Sequence, residues 1–595
     1  MASPAMADSR PARPALSEAL TLLAFCGFLF FFGLGAIGLV GADEPRYAQI
    51  AREMLARHDW VTPVLNGKPW LEKPALYYWE AMLSYRLFGV SDWAARIPAA
   101  FSATTMAAAI YLVFAFVIRR RNPGYSHPTL DDLYRSDSPA DPARPVLNPL
   151  DAALMTVSSA AMIGFGRGAS TDMLMAANFS IAMLCWLAGY LRRQRRWLFG
   201  FYAFLALATL AKGPVAPALA VLILALTAAM QLDLAILRWT VYWPAIALYF
   251  AVTTPWYWLV QARTGTFFRV FFLQHNLERF GTNLFRHPQP FWYYLPVTLL
   301  ALLPWTVWCC LACWRGLKRL TPVTRLYSVR KDHYTKFVDP SPAQAADFLD
   351  HDVLPRFLVV WAIVPVVFFS FSQSKLPGYI LPAVPAWTLL AAFVLERESE
   401  RHARPGRVAI LLHAAVSAAL VGAAVVSPYL VLKIPVARTA VVVAGAAALA
   451  IVIGLLVTLR RGLGMLRFST LVPVVIALGY VLRIAAPAVD LTQSARPVAL
   501  ELARIESQPA RIAVLHVKRE TEYGLNFYRN QEIFSYDRAE IPPEDHLVVA
   551  RRGSESELNE LAGGRRVVRL GQFPAQGLEF FWITRATAHA AELPR

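Results

Sequence analysis

Asp43 and Glu44 stand side by side where a long apolar run ends, with Arg46 and Tyr47 just beyond them and Glu72, Lys73 and Pro74 farther along. Adjacent acids beside an apolar segment are costly unless they have a use. Carboxylates such as Asp43 and Asp172 could orient or deprotonate an acceptor, or stabilise a cationic sugar centre. Lys73, Lys212, Lys375, Arg46, Arg279 and Arg286 could neutralise phosphate, the arginines by two-point contact. Tyr47, Trp70, Tyr77, Tyr78, Trp79, Phe291, Trp292 and Tyr293 could pack sugar rings or lipid. A substrate with an anionic polar head and a membrane-soluble tail suits all three groups.

Plainer roles compete at several positions. Asp172 could cap the helix that follows it, a role compatible with catalysis. Lys212, before Gly213-Pro214, is either a turn anchor or a phosphate ligand. Arg52, Glu53 and Arg57 have helix-surface spacing and read as solvated. Trp292, Tyr293 and Trp305 read as bilayer-boundary markers. His275 and His287 read as structural hydrogen-bonders. Cys309, Cys310 and Cys313 have zinc-like spacing but lie in an apolar run without a polar surround, so they read as small apolar filler.

The elements that must position these groups follow from composition. The 595-residue chain is 57% hydrophobic and only 16% charged, more apolar surface than a soluble domain can hide. Apolar runs near the roughly 20 residues needed to cross a bilayer recur at 18–40, 94–118, 150–165, 173–191, 197–211, 214–231, 239–260, 292–314, 354–371, 378–396, 408–430, 437–459 and 466–485. Thirteen spans are therefore expected. Arginine and lysine collect in alternate loops, as at Arg119–Arg121, Arg192–Arg196 and Arg315–Lys336, which sets the N-terminus inside and the C-terminus outside. The +18 net charge is mostly this topological bias, and nucleic-acid binding is not expected. On that topology the acids, cations and aromatics gather at the outer face. A transporter would place charges or broken helices near the midplane; a membrane-surface enzyme gathers them at one interface.

Three regions result: a disordered cytoplasmic tail at 1–17, a membrane domain at 18–485 with its catalytic loop at 41–93, and an outer α/β domain at 486–595. Strands are expected from Arg511 to Val517, His546 to Ala550, Arg566 to Leu570 and Glu579 to Thr584, with a helical turn from Thr521 to Tyr528. This region carries no phosphate-binding glycine loop or nucleophile elbow, and reads as a support or cap. The loops at 119–149 and 315–353 read as cytoplasmic connectors.

At these residues the chain resembles the lipid A 4-amino-4-deoxy-L-arabinose transferases, within the polyprenyl-phosphate-dependent, protein O-mannosyltransferase-like glycosyltransferases of GT-C type. The matching stretches are DEPRYAQIAREML at 43–55, NGKPWLEKPALYYW at 66–79, GRGASTDM at 166–173 and KGP at 212–214, then HNLERF at 275–280, HPQPFWYY at 287–294 and SKLPGYILPAVPA at 374–386. The resemblance covers most of the membrane domain to about residue 400. It implies an all-α polytopic membrane domain with a small C-terminal α/β periplasmic domain, in the bacterial inner membrane, acting as a monomer. It further implies an inverting transferase that moves the aminosugar from undecaprenyl phosphate to a lipid A phosphate, giving resistance to polymyxin and other cationic peptides. Asp43 and Asp172 are then the principal acids. Lys73, Arg46 and Arg286 bind the donor phosphate, while Glu44, Tyr47, Lys375 and Tyr379 contact substrate head groups. No cofactor is required, although Glu72 with His275 or His287 could hold a divalent ion. Another sugar or acceptor, or a lipid-linked sugar flippase, remains an alternative.

Overall fold

A chain crossing hydrocarbon must satisfy its backbone polar groups internally, which favours helix wherever an apolar run is long enough. The computed structural model of the protein describes residues 16–117, 147–278, 289–318, 342–400, 407–432, 438–461, 466–505 and 510–584. Every expected span overlaps a helix or a bent helix pair. Among the described residues, six helices are long and apolar enough to cross a membrane: Asp92–Val117, Thr171–Arg192, Val353–Ser370, Pro377–Glu396, Arg407–Ser427 and Leu466–Gln493. Leu16–Phe31, Trp197–Lys212, Val215–Gln231 and Arg438–Gly454 are apolar but shorter. The molecule is a multi-pass, mostly helical membrane protein.

Two expected spans are not straight. The 150–165 run is a pair, Pro149–Val157 and Ala160–Gly166, bent by 65°. At the break Ser158 and Ser159 turn their hydroxyls back to the carbonyls of Leu154 and Met155. The 292–314 run is also a pair, Phe291–Ala301 and Thr306–Arg315, bent by 118°. Pro304 in that break has no N–H to continue the ladder. Trp305, expected at the bilayer boundary, is instead buried and donates its indole N–H to Ser158 Oγ at 2.9 Å. It joins the two bends.

The Thr171–Arg192 helix is the hub of the bundle: 89% of its most apolar window is buried, against 28% for Arg407–Ser427. Whatever it carries at its end is therefore held firmly. Ser170 caps it, accepting a hydrogen bond from the Asp172 N–H at 3.3 Å.

Between the first two apolar helices the chain builds two short helices, Asp43–Ala56 and Leu76–Phe88, around a hairpin. Asp43 and Glu44 open the first helix, where acids suit the positive end of the helix dipole. The hairpin strands, β1 (Val64–Leu65) and β2 (Lys68–Pro69), are joined by Asn66-Gly67, both left-handed at φ 53° and 71°. Two such residues match the strand twist. Glu53 accepts hydrogen bonds from the Asn66 and Gly67 N–H groups at 3.0 and 3.1 Å. It is thus a pin for the turn rather than the solvated residue its spacing suggested.

The C-terminal strands form one five-stranded sheet in the order β4-β3-β5-β7-β6, with β3 (Arg511–Leu515), β4 (Ile533–Ser535), β5 (His546–Arg551), β6 (Val567–Phe573) and β7 (Leu578–Ile583). β3 runs parallel to β4 and β5, and β7 is antiparallel to β5 and β6. Alternate residues face opposite sides: Ile512, Val514, Leu547, Val549 and Phe580 pack with Val498, Leu502 and Leu525. Ala513, Leu515, Val548, Ala550 and Phe581 pack with Tyr536 and Leu558 on the other face. The sheet unit is tied back to the membrane part through Arg496, which pairs with Asp92 at 2.7 Å and Asp490 at 2.8 Å and donates to the Gly35 carbonyl.

Candidate active site

The start of the Asp43–Ala56 helix is walled in by aromatics. Arg46, one turn in, forms ion pairs with Asp43 and, at 3.5 Å, with Glu72. Its guanidinium lies over Trp70 at 5.1 Å, Tyr47 at 5.3 Å and Tyr523 at 5.5 Å, so cation–π attraction adds to the charge pairing. Tyr47, Tyr77 and Tyr78 contact one another behind it, with ring centroids 5.9 to 6.3 Å apart. The Arg46 side chain is 8% exposed and that of Asp43 58%: the cation is fixed and the acid faces out. Lys73, next to Glu72, is half-buried.

Glu44 points the other way. It is buried and makes a two-contact ion pair with Arg96, Nη2–Oε2 2.6 Å and Nε–Oε1 3.1 Å. It also accepts from the Val40 and Ala169 N–H groups at 2.9 and 2.6 Å. Arg96 in turn donates to the carbonyls of Leu34, Ile37 and Gly38. Expected as a substrate contact, Glu44 instead spends both oxygens on protein donors. That clamp has a consequence for the acids: the contact with Ala169 lies one residue from Asp43 and three from Asp172, so the two sit on adjoining elements.

Asp172 forms an ion pair with Lys212, the last residue of the Trp197–Lys212 helix. Lys212 lies 4.8 Å from the Tyr379 ring centroid. Gly378 makes this approach possible: a Cβ there would sit 2.8 Å from Asp172 Oδ1 and 2.9 Å from Phe165, closer than atoms pack. Tyr294 anchors the same loop by donating to the Leu376 carbonyl at 3.0 Å. Lys375 is buried and donates to the carbonyls of Ser372 and Gln289 at 2.6 and 3.1 Å. It joins two loops, a use different from the head-group contact expected of it. Thr209 and Pro214, on either side of Lys212, line an apolar cavity of about 280 Å³ with Tyr249, Thr253, Tyr257 and Phe272.

Arg286, His287 and the His275 side chain lie outside the described residues. Of the side chains expected to hold a divalent ion, Glu72 is thus the one described, and it faces the Arg46 guanidinium. Among the described residues no group of three or more His, Cys, Asp or Glu could hold a metal.

Sequence reasoning missed Arg96, whose signal is a lone arginine inside an apolar run, and Tyr523, which nothing local marks. Arg52, read as solvated, donates to the Phe527 carbonyl at 3.1 Å.

No family model matches the chain. The undecaprenyl phosphate-alpha-4-amino-4-deoxy-L-arabinose arabinosyl transferase of Yersinia enterocolitica serotype O:8 is 27% identical over 399 residues, covering 66% of this chain and 62% of the relative. The protein of the same name from Serratia proteamaculans is 28% identical over 385 residues, covering 64% and 59%. The chain thus spans about three-fifths of the length of the curated relatives it matches. The crystal structure of ArnT from Cupriavidus metallidurans bound to undecaprenyl phosphate superposes with a TM-score of 0.67 at 20% identity, covering 98% of this chain and 100% of that one. Its apo form gives 0.66 at 21% identity, covering 96% and 98%. The chain has the ArnT fold. The resemblance carried by the sequence motifs and the one carried by the backbone point to the same proteins.

Proposed function

We propose that this protein is an inverting glycosyltransferase that moves 4-amino-4-deoxy-L-arabinose from undecaprenyl phosphate to a lipid A phosphate. The observation that carries the reading is the position of Lys212: paired with Asp172 under the Tyr379 ring, it lies between two residues lining an apolar cavity. In this reading the charged head meets Lys212 and the greasy chain takes the apolar cavity lined by its sequence neighbours. The similarity to transferases named for this donor supports the same reading.

In the reaction the bond between the anomeric carbon and the donor phosphate oxygen breaks, and its electrons leave with the phosphate. An oxygen of the acceptor phosphate forms the new bond from the opposite face, inverting the centre. That oxygen is already ionised near neutral pH, so no general base is needed. Lys73 and Arg46 stabilise the leaving phosphate, where charge builds most, and Arg286 is assigned the same task from the matching motif. Asp43 and Asp172 are each paired with a protein cation, Arg46 and Lys212. An arriving phosphate can draw on those cations, which turns the carboxylates toward the positive charge of the oxocarbenium-like sugar and its amine. Tyr47 and Tyr379 wall the head-group space.

The finer topology belongs to the same proposal. Thirteen spans put the N-terminus in the cytoplasm and the active site in the periplasm of the inner membrane. Residues 486–595 form a periplasmic domain over a monomeric enzyme. Mass spectrometry of lipid A from cells with and without the protein tests the function: gain of one aminopentose is expected. Unchanged lipid A would redirect the search to another acceptor.

A further inference from the structure

The Arg519–Arg529 helix of the C-terminal sheet unit lies against the Asp43–Ala56 helix. The contact is built by polar pairs at its far end: Arg52 to the Phe527 carbonyl at 3.1 Å, Gln49 to Asn530 at 3.4 Å, and Asn526 to Asn66 at 2.7 Å. Tyr528 adds a link on the side of the first apolar helix, accepting from the Leu39 N–H at 2.7 Å and donating to Asp92 at 2.8 Å. Gly524 lets the helix sit close to its neighbour, since a Cβ there would meet the Ala495 Cβ at 2.4 Å. The helix is therefore set in place independently of its near end, where Tyr523 meets Arg46.

Tyr523 has two cations on its ring: Arg46 at 5.5 Å from inside the site and the exposed Arg519 at 5.7 Å. Its hydroxyl accepts from Arg519 Nη2 at 3.3 Å. The Arg46 Nε is buried and makes no hydrogen bond among the described residues. Its planar head is thus oriented by Asp43, Glu72 and three rings rather than by a full set of hydrogen bonds. Of those rings Tyr47 and Trp70 come from the catalytic loop, and Tyr523 from more than 400 residues away.

We infer that Tyr523 is a positioning residue for Arg46, so that the C-terminal unit completes the donor-phosphate site instead of merely covering it. The inference rests on the proposed transfer reaction and adds to it. The ring holds the guanidinium in the rotamer that presents its edge to the donor phosphate. The face of the ring matters, and the hydroxyl does not.

The test is kinetic, with purified full-length protein, synthetic undecaprenyl-phosphate aminosugar and lipid A. Replacing the ring in Tyr523→Leu, and separately in Tyr523→Gln, should raise the donor KM about tenfold, the scale of one well-shielded cation–π contact. The acceptor KM should stay unchanged. Tyr523→Phe should restore the donor KM to within about twofold of wild type, because the face is retained. Arg52→Ala, which removes a docking contact away from Arg46, should leave the donor KM unchanged. An unaltered donor KM in both ring-removing variants overturns the inference, as does an equal rise in Arg52→Ala, which would mean that docking as a whole is what matters. Absence of transfer by the wild type would instead refute the underlying reaction.

Discussion

Glu44 and Arg96 form a buried ion pair whose two carboxylate oxygens also receive the N–H groups of Val40 and Ala169. A charge pair taken out of water is not a large source of stability, but removing one partner strands the other. Arg96→Ala or Glu44→Ala should therefore each cost about 3–5 kcal/mol, seen as a lower melting temperature in detergent. The double replacement Glu44→Leu with Arg96→Met should cost less than either. If Glu44→Ala kills transfer with an unshifted melt, Glu44 touches substrate and the clamp is secondary.

Asp172 and Lys212 are the pair assigned to chemistry. Asp172→Asn and Lys212→Met should each lower kcat by at least about a hundredfold, the scale of a lost electrostatic contact to developing charge. The melting temperature should move little, since both side chains are partly exposed, at 23% and 16%. Steady-state rates beside a melting curve decide it. A large loss of stability with normal kcat per folded molecule would make the pair structural.

Glu53 holds the Asn66-Gly67 turn that leads into Trp70, Glu72 and Lys73. Glu53→Ala hands two turn N–H groups, one partly buried and one exposed, over to water, a local cost of about 0.5–1.5 kcal/mol. Hydrogen exchange at 64–69 should speed up and the donor KM should rise, with kcat nearly kept. Unchanged exchange there would mean that the turn is fixed by its own left-handed residues.

The C-terminal sheet carries its own pH response. His516 meets Glu557 at 2.9 Å and Asp537 at 2.7 Å. The hydrogen bond that His516 donates to Glu557, outweighing the opposing effect of burial, and the charge of Asp537 raise the imidazole above its ordinary 6.5. A histidine whose folded pKa is raised adds stability that is complete below the unfolded value and is lost as pH rises through the folded one. Exchange protection around β3 and β5 should be greater at pH 5.5 than at pH 8.5, and His516→Gln should flatten the difference. An equal pH trend in the variant would assign it to another group.

What was legible in the sequence, and what was not, divides along physical lines. Apolar runs declare helices because hydrocarbon leaves the backbone few other options, so every expected span meets a helix. The bends do not follow from hydropathy: Leu302 to Trp305 is as apolar as its flanks, and only Pro304 hints at a 118° turn. The alternating C-terminal strands were readable because burial on two faces leaves a pattern. In the site, Asp43 and Asp172 stand out as acids at the mouths of apolar helices. Arg46, three residues from Asp43, is as visible as its acid, but the partners of Glu44 and Asp172 are not, because Arg96 is 52 residues from Glu44 and Lys212 is 40 residues from Asp172. Glu44 and Lys375 illustrate the converse: a charge beside the right motif can be spent on holding loops together.

The decisive measurement is transfer in detergent by purified wild type, Asp43→Asn and Asp172→Asn, with synthetic undecaprenyl-phosphate aminoarabinose and lipid A. Wild type should release undecaprenyl phosphate and form lipid A heavier by one aminopentose, while both variants, folded by their melting curves, should form almost none. Wild-type rates in both variants would contradict the assignment of the chemistry to these two aspartates.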